Sequence, residues 1–219
     1  MQLLLETWTY IAGHQPDFWA KTGAHLTLSG VALLAALMIA FPLGILSAQS
    51  RGASQAVTNG IGALRAIPSL AIMAAMLPLI GVGFRPALIA LTILAIPPML
   101  INTQAGIMAV NPAITEAARG MGLSRWQIIG QVQLPLALPI ILAGVRIAAI
   151  STIAIATVAA FFDAGGLGAL IREGISQDYS DKIWAGVLAV TLLAILFEQS
   201  LRVITRWLHH GTADNQRVA

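Results

Sequence analysis

Few residues in this sequence could do chemistry. Its 219 residues include nine Asp or Glu, twelve Lys or Arg, four His and no Cys. Without cysteine there are no disulfides, thiolate metal sites or cysteine nucleophiles. No glycine-rich run ends in Gly-Lys-Ser/Thr, the pattern that cradles a nucleotide phosphate. His209-His210 stands by itself in a polar tail, and neither a metal site nor a catalytic residue is expected. Arg65, Arg146 and Glu198 are charges set within apolar runs. Arg146 lies about 16 Å along a helix from Pro135. Both arginines can snorkel to a polar boundary, although a charge among apolar residues is also a pathway candidate. Glu198 can pair with Arg202 one turn on.

The densest chemical patterning is in 111–135, Asn-Pro-Ala-Ile-Thr-Glu-Ala-Ala-Arg-Gly-Met-Gly-Leu-Ser-Arg-Trp-Gln-Ile-Ile-Gly-Gln-Val-Gln-Leu-Pro. It reads as two short helices. Asn111 or Thr115 can cap the first, with Pro112 early in it. Glu116 is expected near that helix's positive end, and Gly120 and Gly122 end it. Ser124 can cap a second helix through Trp126, Ile128 and Ile129, after which Pro135 opens the next apolar run. The chemistry on offer is recognition: an exposed amphipathic helix lies on a membrane or docks into a partner's groove.

The elements that position this loop are membrane helices. Hydrophobic residues make up 58% of the chain and charged residues 10%, too little polar surface to coat a water-soluble domain. Apolar runs fall at 26–48, 57–80, 86–110, 136–162 and 183–201. Each is long enough to cross a bilayer as a helix, and none alternates as a barrel strand would. The lipid bilayer is therefore the chain's medium. No basic run interleaves with aromatics, so nucleic acid is not a partner. Residues 1–21 lack the basic start and apolar core of a cleavable signal. Pro42, Pro68, Pro78, Pro97-Pro98 and Pro139 interrupt the runs. The pair Pro97-Pro98, followed by Asn102, Thr103 and Gln104, suggests a broken third span lining a pathway. Gly44, Ser47, Gly60, Gly62, Ala143 and Gly144 would permit close helix contacts. Trp8, Trp19, Trp184 and Trp207 suit membrane boundaries.

One set of flanks carries Arg51, Arg119, Arg125, Arg202, Arg206 and Arg217; the other carries Lys21, Arg85, Arg172 and Lys182. Glu6, Asp17, Asp163, Glu173, Asp178 and Asp181 all join the second set. The excess of basic residues places the first set inside. The N-terminus is then outside, with 1–21 extracytoplasmic, 22–207 spanning the membrane and 208–219 a cytoplasmic tail.

Glu116-Ala117-Ala118, then Gly122, then Val132-x-Leu134-Pro135 resembles the coupling loop of ABC-transporter permeases, with every spacing met. Arg65-Ala66-Ile67-Pro68-Ser69-Leu70-Ala71 resembles the second-span signature of permeases for glycine betaine and related osmoprotectants. Phe162-Asp163-Ala164-Gly165-Gly166-Leu167-Gly168 resembles their outer loop, 163–182, although Asp163 stands where that family has Gly. The likeness covers roughly 25–205. It implies the all-α type I ABC importer permease fold of about five transmembrane helices, in a bacterial plasma (inner) membrane. It also implies a second permease chain, an extracytoplasmic substrate-binding protein, and ABC ATPase subunits that carry the ATP and Mg. Glu116, Ala117, Ala118, Gly120, Gly122, Leu134 and Pro135 would then form the ATPase-coupling loop, with Trp126 inside it packing against the ATPase or touching the membrane. Pro68, Ser69, Pro97, Pro98, Asn102, Arg146, Gly165, Gly166 and Gly168 are pathway or gate candidates. The resemblance favours glycine betaine or another quaternary-amine osmoprotectant, with a methionine-type or other small-zwitterion permease as the alternative. The spans hold no aromatic cage for a quaternary amine, so specificity is expected on the binding protein. An ion-driven secondary transporter would want paired carboxylates deep in the spans, and Glu198 stands alone. A structural membrane protein would need neither the docking loop nor the broken span.

Overall fold

The computed structural model describes residues 2–213, with side chains over 5–203; the expectations on Arg217 and on the side chains of Arg206, Trp207 and His209-His210 lie outside what is described. The described residues form ten α-helices in order: α1 (Gln2–Gly13), α2 (Gln15–Ser47), α3 (Arg51–Arg65), α4 (Ser69–Ile80), α5 (Phe84–Met108), α6 (Pro112–Gly120), α7 (Arg125–Ile128), α8 (Leu134–Ala159), α9 (Gly168–Ser176) and α10 (Ser180–Ala213). In lipid the backbone must satisfy its own polar groups, which a helix does within one segment. Four stretches are long and apolar enough to span: Gln15–Ser47, Phe84–Met108, Arg125–Phe162 and Ser180–Val203. A fifth span is formed if α3 and α4 count as one interrupted crossing.

The interruption is not where the paired prolines suggested. α5 runs unbroken through Pro97 and Pro98. Two prolines withhold only two N–H donors, and Asn102 Nδ2 donates to the Pro98 carbonyl at 2.7 Å. The break lies instead in the second span, at 66–68. α3 ends with the Ala66 N–H on the Ala63 and Leu64 carbonyls, and Pro68 precedes α4 with φ −60° and ψ 137°. A residue before proline is pushed out of the helical region, so Ile67 cannot carry α3 onward.

The chain divides into two compact units. The first comprises 1–36, 67–95 and 149–199. Its core joins Leu28 and Ala32 of α2, Ile72 and Met73 of α4, Ala87, Ala90 and Leu91 of α5, and Ala156 and Ala159 of α8. A second cluster sets Tyr10 of α1 against Leu167, Leu170 and Ala185. The other unit comprises 37–66, 96–148 and 200–219, and there Ile107 of α5 packs with Ala137 and Ile141 of α8. The buried set is dominated by alanine, whereas Leu34, Met38, Leu192 and Leu196 are exposed. Lipid tails solvate large apolar side chains, so helices associate through small residues that let backbones approach.

Glycines mark the closest approaches. A Cβ on Gly44 would lie 2.7 Å from Thr103 Cβ, and one on Gly144 would lie 2.5 Å from Asn102 Cβ and 2.7 Å from the Pro98 carbonyl. Gly60 and Gly62, which sequence patterning offered as contact residues, have nothing within 4 Å of such a Cβ. They lie on α3, which buries none of its residues.

In the first unit, charges that sequence analysis assigned to one flank pair with each other. Lys21 Nζ reaches Asp17 at 2.7 Å and Glu173 at 2.9 Å, and Lys182 Nζ reaches Glu173 at 2.8 Å. This ties the start of α2 to α9 and to the start of α10. Burial by itself would raise the Glu173 carboxyl, but hydrogen bonds from Lys182 and Lys21 outweigh it and hold the group below its ordinary value. Because folding lowers this pKa, the stabilisation is complete above the ordinary carboxylate value and disappears as pH falls through the lowered one. Infrared titration of the carboxylate stretch should place the Glu173 midpoint below that ordinary value and show it rising in Lys182→Met. A midpoint already above it in the wild type would mean that burial dominates.

A methyl at position 168 would sit 2.1 Å from the Thr157 carbonyl oxygen, whereas Gly30 has open space around it. Gly168→Ala should therefore destabilise the purified protein by about 1–3 kcal/mol, the usual range for overpacking. Gly30→Ala should be neutral or better. Thermal unfolding in detergent checks both, and equal midpoints would refute the close approach.

Candidate functional site

The loop after α5 is built by local signals. Asn111, not Thr115, caps α6: its Oδ1 accepts from the Ala113 N–H at 3.0 Å, with Pro112 at the first helical position. The Thr115 hydroxyl donates instead to the Pro112 carbonyl at 2.8 Å. The helix stops in a Schellman arrangement. The Gly122 N–H reaches the Arg119 carbonyl at 3.0 Å, and the Leu123 N–H reaches the Ala118 carbonyl at 3.2 Å. Gly122 adopts φ +86°, which favours glycine. Gly120 is the last residue of α6 rather than the residue beyond it.

Within α6, Ala118 is buried and Glu116 and Ala117 are exposed. Glu116 lies mid-helix, outside the first turn, so it gains little from the helix dipole, contrary to the sequence expectation. Ala118 turns inward, and Glu116, about 200° round the helix from it, projects from the opposite side; Ile114, one turn before Ala118, is exposed at the edge of the inward side, and Met121 and Trp126 are exposed close by in sequence. The short helix thus presents a carboxylate together with apolar side chains, a composition suited to docking rather than to catalysis.

The second short helix is not separate. Ser124 caps α7 with a full capping box shared with Gln127, but after Ile128 the chain passes through a π turn, Ile129–Gln133, directly into α8. Pro135 accounts for this. It has no N–H to give and its ring crowds the carbonyl four residues back; the wider π turn relieves both. The inner loop therefore closes at Ser124, and Leu134 and Pro135 belong to the spanning helix. Arg125 donates through Nε and Nη2 to Gln49 Oε1, at 3.3 and 3.1 Å, which links α7 to the residue pair beyond α2. Nothing in the sequence relates positions 76 residues apart, so this contact was not legible. The same holds for Gln104 Nε2, which donates to the Ser54 hydroxyl of α3.

The pathway candidates are dispersed. Pro98 and Asn102 meet under Gly144 in one unit. Arg146 is half-buried on α8 and has an interaction partner, as do Glu198 and Arg202. Pro68 and Ser69 sit at the break in the second span, with Pro68 exposed and Ser69 half-buried. Pro97 lies inside α5.

Gly165, Gly166 and Gly168 belong to the loop between α8 and α9 in the other unit. A single 3-10 turn, Ala160–Phe162, ends the fourth span. Three left-handed residues follow: Asp163 at φ +58°, Gly165 at +75° and Gly166 at +77°. Asp163 stands where the resembling family carries Gly, and it keeps the left-handed backbone that glycine favours. Aspartate tolerates that region better than most residues, and Arg172 Nη1 pairs with its carboxylate at 2.5 Å. The Gly83 N–H donates to the Phe162 carbonyl at 2.8 Å, tying the loop to the start of α5. From Ala164 to Leu170 all but the half-buried Gly165 are buried, so the loop is seated on the helices beneath it. Sequence analysis missed one contact here: His25, fully buried on α2, lies directly under Gly166.

Comparison with known proteins gives this geometry a family. The sequence profile of the binding-protein-dependent transport system inner membrane component family matches residues 40–213. The chain is 37% identical over 198 residues to the glycine betaine/carnitine/choline transport system permease protein OpuCB of Bacillus subtilis (strain 168), covering 90% of this chain and 91% of that one. It is 38% identical over 193 residues to the carnitine transport permease protein OpuCB of Listeria monocytogenes, covering 88% of each. Among solved structures, it superposes on the MetNI methionine ABC transporter in an inward-facing conformation with a TM-score of 0.80, over 90% of this chain and 98% of that one, at 21% identity. That likeness shows the type I ABC importer permease fold. An all-helical multi-pass chain with the Glu-Ala-Ala loop after its third span, matched by a family profile over most of its length and by full-length permease relatives, belongs to the binding-protein-dependent transport system inner membrane components.

Proposed function

We propose that this permease imports glycine betaine or another quaternary-amine osmoprotectant, and that a separate ATPase drives it through the loop around Glu116. The observation that carries the coupling role is the short helix α6, capped at Asn111, closed at Gly122, and exposing Glu116 on the side opposite the buried Ala118. The substrate reading is supported by relatives at 37–38% identity named for betaine, carnitine and choline. The methionine transporter shares the fold at 21% identity, which carries no substrate argument.

The division of labour follows from what the sequence holds. It has no Gly-Lys-Ser/Thr phosphate loop, so ATP and Mg are assigned to the ATPase partner. A soluble binding protein delivers substrate outside, and a second permease chain completes the pathway, because five helices are too few to enclose one. The basic excess of the flanks that include the α6 loop puts that loop and the C-terminus in the cytoplasm and the N-terminus outside, in a bacterial inner membrane. The loop at 163–168 then faces the outside, where it gates entry. Motion of α6 reaches the fourth span through α7 and the π turn, which are continuous with it.

Three measurements test this reading. Expressed with the genes beside it, the chain should co-purify with an ATPase subunit, and Glu116→Lys should lose that subunit while staying in the membrane. Gly122→Asp, which sets a carboxylate at the negative end of α6 in the turn that closes it, should abolish uptake in the same way. Wild-type uptake in both variants would remove the coupling role. Removing the α7 cap with Ser124→Ala should cost about 1 kcal/mol locally and lower uptake only partially. Betaine, choline and carnitine, titrated against the neighbouring binding protein, decide the substrate, and binding of none of them would overturn the osmoprotectant reading.

A further inference from the structure

His25 is a costly residue in its position. It is 0% exposed, on a helix that spans the membrane. A buried polar ring costs free energy unless its nitrogens are partnered. Nε2 lies 3.1 Å from the Ile153 carbonyl of α8. A carbonyl only accepts, which assigns the ring proton to Nε2 and leaves Nδ1 with a lone pair. Nδ1 has no hydrogen-bond partner, and neither have the hydroxyls of Ser29, one turn further along α2, and Thr157, one turn beyond Ile153 on α8.

The glycine-rich loop rests on these same residues. A Cβ on Gly166 would lie 3.0 Å from His25 Nδ1, and one on Gly168 would lie 2.1 Å from the Thr157 carbonyl. Two loop glycines therefore press on the two helices that carry the three unpartnered polar atoms. While the loop is seated, packing favours it and the covered polar atoms oppose it. Once lifted, the loop gives up packing and His25 Nδ1, which Gly166 covers, can reach water, with the helix surfaces that carry Ser29 and Thr157 beside it. Each covered atom narrows the gap between the two positions, and a gate needs two positions of similar energy.

We propose that His25, packed under Gly166 and anchored on the Ile153 carbonyl, is the positioning residue of the outer loop, and that with Ser29 and Thr157 it forms a polar cell that lets the loop lift. This deepens the gate reading of the loop given under the proposed function. A core filler would be replaced by leucine without loss. For a positioning residue, leucine leaves a folded transporter whose loop lifts less often.

The chain has no cysteine, so single thiols report directly. Ala164→Cys is covered by the seated loop, and Ser176→Cys is exposed and serves as the reagent control. Maleimide labelling of Ala164→Cys is measured on the transporter purified with its co-expressed partners, where membrane orientation does not matter. His25→Leu should slow it on the order of tenfold, the factor that uncovering one polar atom supplies. Uptake should fall with it while basal ATP hydrolysis is kept, and His25→Gln, which can still donate to the Ile153 carbonyl, should restore both. The double variant Ser29→Ala with Thr157→Val should slow labelling in the same sense, and it reads the cell even if His25→Leu fails to fold. Labelling at the wild-type rate in the double variant, or in a folded His25→Leu, overturns the proposal. Slowed labelling with wild-type uptake supports the positioning role and removes the gate reading instead.

Discussion

Within a bilayer the backbone finds no water, so every N–H and carbonyl must be satisfied by the chain itself. This constraint organises the rest of the molecule. It makes each crossing a helix, and it decides how the prolines are tolerated. Pro97 and Pro98 withhold two donors, those of the Ile93 and Leu94 carbonyls one turn back, and leave the rest of the α5 ladder in place. The helix continues. Pro135 is accommodated by a π turn that carries α7 into α8. Only at Pro68 does the chain stop, because α3 there already has a C-terminal cap and Ile67 is forced out of helical geometry. Four prolines of similar appearance in the sequence thus have three outcomes, each set by what the neighbouring groups can supply.

The same solvent removes the usual reason for burying large apolar side chains. Leucine and methionine gain nothing by leaving lipid, and the exposed Leu34, Met38 and Leu192 reflect this. Contacts between helices rest on small residues instead. Gly144 against Pro98 and Asn102, and Gly168 against Thr157, are approaches that no side chain could enter. Where such contacts form, they hold helices in register. Where the small residues face outward, as Gly60 and Gly62 do on α3, they hold nothing within this chain. The ion pairs around Glu173 lie beyond the long apolar stretches, where water and partners are both at hand. They fasten α2, α9 and α10 without the penalty that a charge in lipid would bring.

The functional parts exploit the places where helical regularity ends. α6 is short, capped at both ends and largely exposed, so it keeps its shape while holding Glu116 in the open. The glycine-rich loop between α8 and α9 uses three left-handed residues to turn on itself and settle over His25. Asp163 shows that the backbone conformation, rather than glycine itself, is what that position requires.

Much of this was legible beforehand because the signals are local. Five apolar runs, the Asn111–Pro112 start and Gly122 stop of α6, and the Glu-Ala-Ala spacing depend on residues close together in sequence. They give the membrane class, the helix count and the permease family directly. The cap at Ser124 is equally local, and it was readable even though the helix it begins proved to be part of the fourth span. Contacts between distant positions were not legible. His25 in an apolar run reads as an ordinary core histidine, and only packing places it beneath Gly166, 141 positions away, with its Nε2 on Ile153. Lys21 and Glu173, Gln49 and Arg125, and Gly144 and Asn102 are similar cases. Each side chain carries its chemistry in the sequence, but its partner is chosen by how helices pack, and packing is a sum over many weak contacts that no short pattern encodes. The sequence determined the elements, their medium and the capped helix that carries Glu-Ala-Ala; the tertiary structure decided where the second span breaks, which prolines are absorbed and what lies under the glycine-rich loop.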